Sequence, residues 1–532
     1  MSIKVNQDVI EKKRWGMVID LNRCVGCQTC TIACKQTNDT PPGVQWRKVI
    51  DIETGAFPDV QRLFMVTGCQ HCDEPPCVPV CPTGATTKRE DGIVAIDYDQ
   101  CIGCAYCAVS CPYEARTLIH EDVGYYGEKT KQENATAHPE RIGVAQKCTF
   151  CQPKIDDGLA RGLKPGIDFE ATPACAASCI AQAINFGDFN DLESNVSVLS
   201  RDQPTMRLNE NVGTEPQIKY LYTTPSILGR DLVEKPFSQA KEALHDKVNP
   251  VVGSLQNFWD WRAAMNWMFG GMGSGLLVLT SIFTATNMIP LGSSRDLILC
   301  SLASISIGLF FVFLKIGRKI RFWRAILRPQ SSWMTRELYV VALLFPVSIY
   351  TAVDSNLLNL FLTAFFASCF LLCQSMILYK ARGIPAWRVP DIPWMIFFGG
   401  LMEGFGLIQI FLAFQGLYLD ISLLILSSSI LVGINFGLWY RYLVRSEDRL
   451  PPLASSVLKS SSPLLSSIAI IMVGEMVYGL LVPKDAHLLF ALFGIFAITY
   501  GFLWKFIVIV KASYFNGLTY NYSPRRGSGD CA

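Results

Sequence analysis

The sequence predicts an α+β domain followed by an all-α domain of eight membrane-spanning helices. Two contrasts along the 532 residues lead to this reading. Residues 1–260 are polar and hold 16 of the 20 cysteines, whereas residues 263–514 are mostly apolar and hold three. Half of all residues are hydrophobic and 17% are charged, against roughly 25% charged in an ordinary soluble domain. The net charge of +2 gives no field that would attract nucleic acid. Together these values exclude a single soluble globule, a disordered chain and a small disulfide-stapled scaffold. Four segments are expected: a cysteine-rich domain over 1–189, a polar linker and interfacial anchor over 190–262, a membrane domain over 263–514, and a polar, flexible tail over 515–532.

The opening stretch, MSIKVNQDVIEKKRWGMVID, has no apolar h-region and no cleavage site, and the only Arg-Arg pair is Arg525-Arg526. No export signal is therefore expected. In a reducing compartment sixteen cysteines read as metal ligands rather than disulfides. Their spacing identifies the metal. Cys24, Cys27, Cys30 and Cys34 read C-x2-C-x2-C-x3-C, and Cys101, Cys104, Cys107 and Cys111 repeat it before Pro112. Cys69, Cys72, Cys77 and Cys81 read C-x2-C-x4-C-x3-C before Pro82, and Cys148, Cys151, Cys175 and Cys179 read C-x2-C-x23-C-x3-C. The first of these patterns is the bacterial ferredoxin signature, in which three close cysteines hold one cubane cluster and the fourth reaches the other cluster.

That crossing rule proposes four ligand sets. Cys24, Cys27 and Cys30 combine with Cys179, and Cys148, Cys151 and Cys175 with Cys34. Cys69, Cys72 and Cys77 combine with Cys111, and Cys101, Cys104 and Cys107 with Cys81. The expected fold is a ferredoxin-like α+β domain with two tandem bis-[4Fe-4S] modules. The alternative is four zinc sites, but zinc ligands usually come as two separated C-x2-4-C pairs rather than runs of three. Every cysteine has a place, so no iron is left open for substrate. No G-x-G-x-x-G follows a strand and there is no P-loop. The domain reads as a wire for single electrons.

The linker is rich in Asn, Asp, Pro and Gly and ends in Phe258, Trp259 and Trp261, an interfacial anchor. Eight apolar stretches follow, near 264–286, 296–315, 337–353, 356–379, 392–414, 420–441, 464–483 and 487–510, each about the 20 residues a bilayer requires. Connections on the N-terminal side carry fourteen Lys and Arg, those on the far side only Arg295 and Lys484. The positive-inside rule then puts the cysteine-rich domain in the cytoplasm of a bacterial or archaeal cell. All nine tryptophans from Trp259 onward fall toward that same side. A plain aromatic belt would decorate both faces, so a docking surface or an aromatic-lined ligand mouth stands beside that reading.

After residue 250 the only histidine is His487. Membrane b-type haem commonly takes histidine axial ligands, so no haem relay is expected. Electrons from the clusters then meet their next carrier near the cluster side, and a lipid-soluble quinone fits. Glu337 and Lys315 lie at span ends on that side; Glu337 is the first candidate for proton exchange with the quinone, and Lys315, Arg336, Glu403 and Glu475 are the other candidate residues of its site. The alternative for Glu337 is an interfacial acid paired with Arg336 or Arg324. Glu403 and Glu475 lie about eleven residues into their spans, near the bilayer centre, where acids are costly and usually functional. Proton carriage, cavity lining and helix-fixing hydrogen bonds are all open to them. Cys300, Cys369 and Cys373 read as small hydrophobes, and the glycines of the first span (Gly270, Gly271, Gly273, Gly275) as a close-approach face.

With these motifs on view, residues 1–230 resemble the four-cluster electron-transfer subunit of the dimethyl sulfoxide reductase (molybdopterin oxidoreductase) family, through CQHCDEPPCVPVCPTGA and CIGCAYCAVSCPYEA. Residues 260–510 resemble its eight-helix membrane anchor, through RFWRAILRPQSSWMTREL and IPAW. The resemblance implies a separate catalytic subunit carrying molybdopterin, which faces the outer cluster pair. It implies that the cluster of Cys101, Cys104, Cys107 and Cys81 faces the quinone, and that Glu337 matches a position tied to quinol binding. A histidine expected near the end of span two is replaced by Lys315. Membrane lipid and quinone are the other expected partners, and no nucleic acid. The cytoplasmic side points toward the quinone-linked sulfite dehydrogenase type. A quinol-fed reductase of an S- or N-oxide is the alternative, and an ion-translocating redox protein using Glu403 and Glu475 is another.

Overall fold

A computed structural model describes residues 13–54, 61–136, 138–222, 252–416, 421–447, 449–481 and 486–518. In the first domain a four-stranded sheet has the order β8-β1-β10-β9, with β1 at Trp15–Asp20, β8 at Ile184–Asp188, β9 at Thr205–Met206 and β10 at Ile218–Leu221. β1 pairs antiparallel with β8 and parallel with β10. Five of the six residues in WGMVID are buried, as expected of a central strand covered on both faces. Three antiparallel pairs surround it: β2 with β3 (Arg47–Thr54 and Gln61–Gly68), β4 with β5 (Thr86–Lys88 and Val94–Ile96), and β6 with β7 (Thr117–Leu118 and Ala145–Gln146). Among the described residues six short α-helices complete the domain: α1 (Thr29–Thr37), α2 (Tyr106–Val109), α3 (Lys131–Thr136), α4 (Gln152–Ala160), α5 (Ala174–Ala177) and α6 (Asn195–Asp202).

This architecture corrects the expected linker. Residues after 189 contribute α6, β9 and β10, and β10 lies against β1 along Met17–Asp20. A polar stretch of Asn, Pro and Gly gives no periodic signal, and its strand is stabilised only by a partner about two hundred residues away in sequence. Residues 223–251 of the expected linker lie outside the described residues. Of the expected anchor, Trp261 is 48% exposed, whereas Trp259 is not at the surface. Trp259 is buried and donates its indole N–H to the Cys104 carbonyl at 3.1 Å, so it joins the two domains rather than sitting in the interface. Nor is the start of the tail loose. Phe515 is buried and its N–H bonds the Ser254 carbonyl at 2.9 Å, and Gly517 accepts from the Asn209 side chain. Residues 519–532 lie outside the described residues.

Among the described residues eight helices are long and apolar enough to cross a membrane: α7 (Trp261–Ala285), α8 (Leu291–Lys315), α9 (Trp333–Val353), α10 (Leu357–Tyr379), α11 (Ile392–Gln415), α12 (Ser422–Ser446), α13 (Pro452–Gly479) and α14 (Leu489–Lys511). All ends fall within five residues of expectation except the start of α13, at Pro452 rather than 464. Its first turns are serine-rich and read as loop. The hydroxyls instead bond back to the helix itself, Ser456 to Leu453 O and Ser461 to Val457 O, both at 2.8 Å.

Helix α7 is central, packed by α8, α10 and α11, with α14 on α11. The close approach follows from its glycines. A Cβ on Gly275 would strike the Gly400 backbone, and one on Gly404 would strike the backbone of Gly275 and Leu276. The first turns of α7 widen into a π-helix over Asn266–Gly270, a local form often found at functional sites. The basic α8–α9 connection is bound to the cysteine-rich domain. Arg318 Nε donates to Ile142 O at 2.7 Å and Arg321 to Tyr98 O at 2.8 Å, and the Ser332 hydroxyl to Val80 O at 3.0 Å.

Candidate electron-transfer site

The first and third cysteine motifs fold alike. Gly26 and Gln28 have φ of 69° and 63°, and at the matching positions Gly103 and Ala105 have 71° and 63°. Two left-handed residues curl each loop before its helix begins, and Cys30 and Cys107 follow on α1 and α2. For non-glycine residues this conformation costs about 1–3 kcal/mol and persists where function requires it.

The fold gathers the sixteen thiols into neighbouring groups. Cys24 lies near Cys27, Cys30 and Cys179; Cys34 near Cys148, Cys151 and Cys175; Cys72 near Cys69, Cys77 and Cys111; Cys104 near Cys81, Cys101 and Cys107. Three further proximities join the groups in a row: Cys30 with Cys175, Cys148 with Cys69, and Cys107 with Cys77. Cys27 is exposed at one end of the row. Cys104 ends it against the membrane domain. Among the described residues no three His, Cys, Asp or Glu side chains converge tightly enough to share one metal ion. A cubane spreads its thiolates over a larger body.

The surroundings fit an anionic group. Arg47 is fully buried, and neither its Nε nor its Nη1 has a protein partner. Burial opposes its charge, but Cys175, Cys148 and Cys34 hold its pKa above the ordinary value. Arg116 and Lys147 are also buried; Arg116 Nη2 is unpartnered, and Lys147 donates to Cys148 O at 2.8 Å. Buried unpaired cations cost several kcal/mol each, and cysteine-ligated clusters supply the missing negative charge. Burial pushes the Cys30 and Cys148 thiols up to about 11 and the Cys107 thiol to about 12. Cluster binding at neutral pH must therefore displace protons from them.

Below Cys104 lies a cavity of 450 Å³. Its floor and walls are apolar (Leu309, Phe313, Met334 and Phe345 among them), and its polar points are few: Asn266, Ser306, Lys315 and Glu337. Cys104, Trp259 and Trp267 close the upper side. Trp259 stacks within 5.6 Å of Trp387 and 5.4 Å of Trp267. Glu337 is buried, one carboxylate oxygen has no partner, and the side chains of Asn266 and Gln374 lie beside its carboxyl. Lys315 is paired with Asp260 at 3.2 Å.

Of the five residues expected around a quinone, the structure brings Glu337 and Lys315 into this wall and places the other three elsewhere. Arg336 donates to the Pro329 and Gln330 carbonyls and stacks over Trp333. It does not pair with Glu337, and Arg324 instead bonds the Asp99 carbonyl. Glu403 is fully buried in an ion pair with Lys505 at 2.7 Å, and Lys505 also donates to Trp267 O. Glu475 is half-buried on α13 with Oε2 unpartnered, away from the cavity. Asn266, Gln374 and Lys505 escaped sequence reasoning. The available signal was a strongly polar residue inside each of three otherwise apolar spans.

A ferredoxin-like cysteine domain set on eight apolar helices defines an iron–sulfur electron-transfer protein joined to a membrane anchor. Residues 60–124 match the family model described as "4Fe-4S dicluster domain". The chain is 45% identical over 223 residues to a component of the selenate reductase of Mesobacillus selenatarsenatis, covering 39% of this chain and 72% of the relative. It is 37% identical over 229 residues to the iron–sulfur cluster-binding subunit of menaquinone reductase of Nitratidesulfovibrio vulgaris, covering 40% and 89%. It is 37% identical over 222 residues to a component of the sulfite dehydrogenase of Allochromatium vinosum, covering 39% and 82%. The chain belongs to the family of iron–sulfur electron-transfer subunits of molybdopterin oxidoreductases.

Proposed function

We propose that this chain passes electrons between a separate molybdopterin-containing catalytic subunit and membrane quinone through four [4Fe-4S] clusters. Bound clusters supply single-electron relays. The ligand sets are Cys24, Cys27, Cys30 and Cys179; Cys34, Cys148, Cys151 and Cys175; Cys69, Cys72, Cys77 and Cys111; and Cys81, Cys101, Cys104 and Cys107. The grouping of thiols supports them. Arg47, Arg116 and Lys147 balance their charge, and the exposed Cys27 end receives the catalytic subunit. At the other end a quinone ring occupies the 450 Å³ cavity. Glu337 exchanges its proton, Lys315 and Asn266 position its oxygens, and the tryptophans keep bulk water from Cys104.

One observation carries this reading: Cys104 and Glu337 share a single apolar cavity. Glu337→Gln is expected to slow quinone-linked turnover about a hundredfold, the range of a lost proton-transfer group, with every cluster signal intact by electron paramagnetic resonance. Unchanged turnover would remove the assignment.

The loop-charge asymmetry supports a cluster domain on the cytoplasmic face of the inner membrane, oxidising a substrate such as sulfite. The 37% identity to a sulfite dehydrogenase component is in line with this. A second reading, quinol feeding a reductase, draws support from the 45% identity to a selenate reductase component. Assaying the intact complex with sulfite plus quinone, and with quinol plus selenate, separates the two by which pair turns over.

A further inference from the structure

We propose that the chain holds an anionic phospholipid where its two domains meet, with the headgroup phosphate in a cationic cavity formed by Lys380, Arg382, Arg388 and Arg449. This cavity measures 300 Å³ and is otherwise walled by Tyr379, Pro385 and Val389. It lies between the end of α10 and the start of α11, and Arg449 reaches it from just before α13. Among the described residues four cations line it and no acid does. Among the described residues the nearby acids are already engaged: Asp391 with Arg441 and Arg445, and Glu447 with Lys459 at 2.6 Å. Among the described residues none of the four cations is in an ion pair. Arg388 is half-buried, and burial together with the adjacent Arg382 lowers its pKa. Unpaired cations held together in a partly desolvated site repel one another, and an anion relieves that repulsion.

The position identifies the anion's source. The loop between α10 and α11 is fixed beneath the cysteine-rich domain. A Cβ on Gly383 would come within 2.5 Å of Val109 O and 2.7 Å of Cys111 O, and Trp387 donates to Val508 O at 2.9 Å. Lys380 and Arg382 also wall a second cavity of 700 Å³ that reaches Trp333 and Arg336. Among the described residues its one acid, Glu74, is an exposed residue of the cysteine-rich domain, and its Lys88 is neutralised by Asp73 at 2.9 Å. From Tyr379, α10 carries Leu372, Phe365 and Phe361 at helical spacing, 48%, 51% and 64% exposed. This stripe lies along the path acyl chains would take. Free phosphate uses the cations but not the stripe, whereas a phospholipid uses both. Basic pockets at helix ends on the positively charged side are suited to anionic headgroups.

The test uses the intact complex, delipidated in detergent and returned to nanodiscs of phosphatidylcholine with or without phosphatidylglycerol. Retained lipid is counted by native mass spectrometry after detergent release. The wild type is expected to keep phosphatidylglycerol in preference to phosphatidylcholine. Arg388→Gln with Arg449→Gln should retain it about 30-fold less, the combined effect of two headgroup charges. The double lysine variant should retain most of it, and Arg295→Gln on the opposite side should match wild type. If the glutamine pair does not assemble, Arg449→Gln alone, at an exposed position, should still lose about fivefold. Equal retention by the glutamine variants, equal retention of phosphatidylcholine, or displacement of the lipid by inorganic phosphate at matching concentration would each overturn the proposal.

Discussion

At the carboxyl of Glu337 one oxygen has no protein partner, while Asn266 and Gln374 stand beside the group. A buried acceptor left alone costs about 1–3 kcal/mol; in the proposed site a quinol hydroxyl donates to it, whereas a quinone carbonyl accepts from the protonated carboxyl. Arg47 has the complementary role among the thiols, a buried cation without a carboxylate. Reduction adds negative charge beside it, so the guanidinium favours the reduced state. Arg47→Met should therefore lower the midpoint potential of the group at Cys34, Cys148, Cys151 and Cys175 by about 60 mV or more, a tenfold change for one electron. A redox titration followed by electron paramagnetic resonance reads it, and an unmoved potential would show that the arginine does not act on that site.

Among the elements, α7, α11 and α14 form the rigid centre, where two features carry packing. Gly275 and Gly404 let backbones touch, so Gly275→Leu is expected to abolish assembly of the membrane domain, seen as loss of the monodisperse peak in detergent. The Glu403–Lys505 pair is buried on both sides. Removing one partner leaves a bare charge, and Lys505→Met should destabilise by about 3–5 kcal/mol. Lys505→Met with Glu403→Met should recover most of that, because an apolar pair of similar size is close to neutral. Thermal unfolding of the two variants checks the contrast. Failure of the double variant to recover stability would give Glu403 a role beyond its partner.

This scale also explains what sequence reading reaches. Cysteine spacing and apolar runs are local signals, and they deliver the thiol-rich domain and the eight helices. β10 is invisible because its order comes from β1, far away in the chain. The early turns of α13 are hidden because serine hydroxyls satisfy their own helix. Glu337 and Lys315 are legible as ionisable residues at span ends. Their neighbours Asn266 and Gln374 lower the hydropathy of their spans but carry no charge, and only the fold shows that they meet at Glu337.

For the whole molecule, the basic α8–α9 connection has two uses. Its arginines are part of the charge asymmetry that sets orientation, and several grip carbonyls of the cysteine-rich domain. The domain is thus clamped to the side on which those charges stay. A reporter inserted at the α7–α8 turn should face the opposite side of the membrane from one placed in the α8–α9 connection, as impermeant labelling of intact cells would show. Labelling of both from one side would break the eight-span topology.

Because the Cys104 loop is itself part of the cavity wall, whatever fills that space alters the local polarity around its sulfur. An inhibitor competing for the proposed quinone site should thus announce its arrival as a changed line shape of the iron–sulfur centre proposed at Cys104 alone, giving occupancy a built-in spectroscopic gauge that needs no turnover.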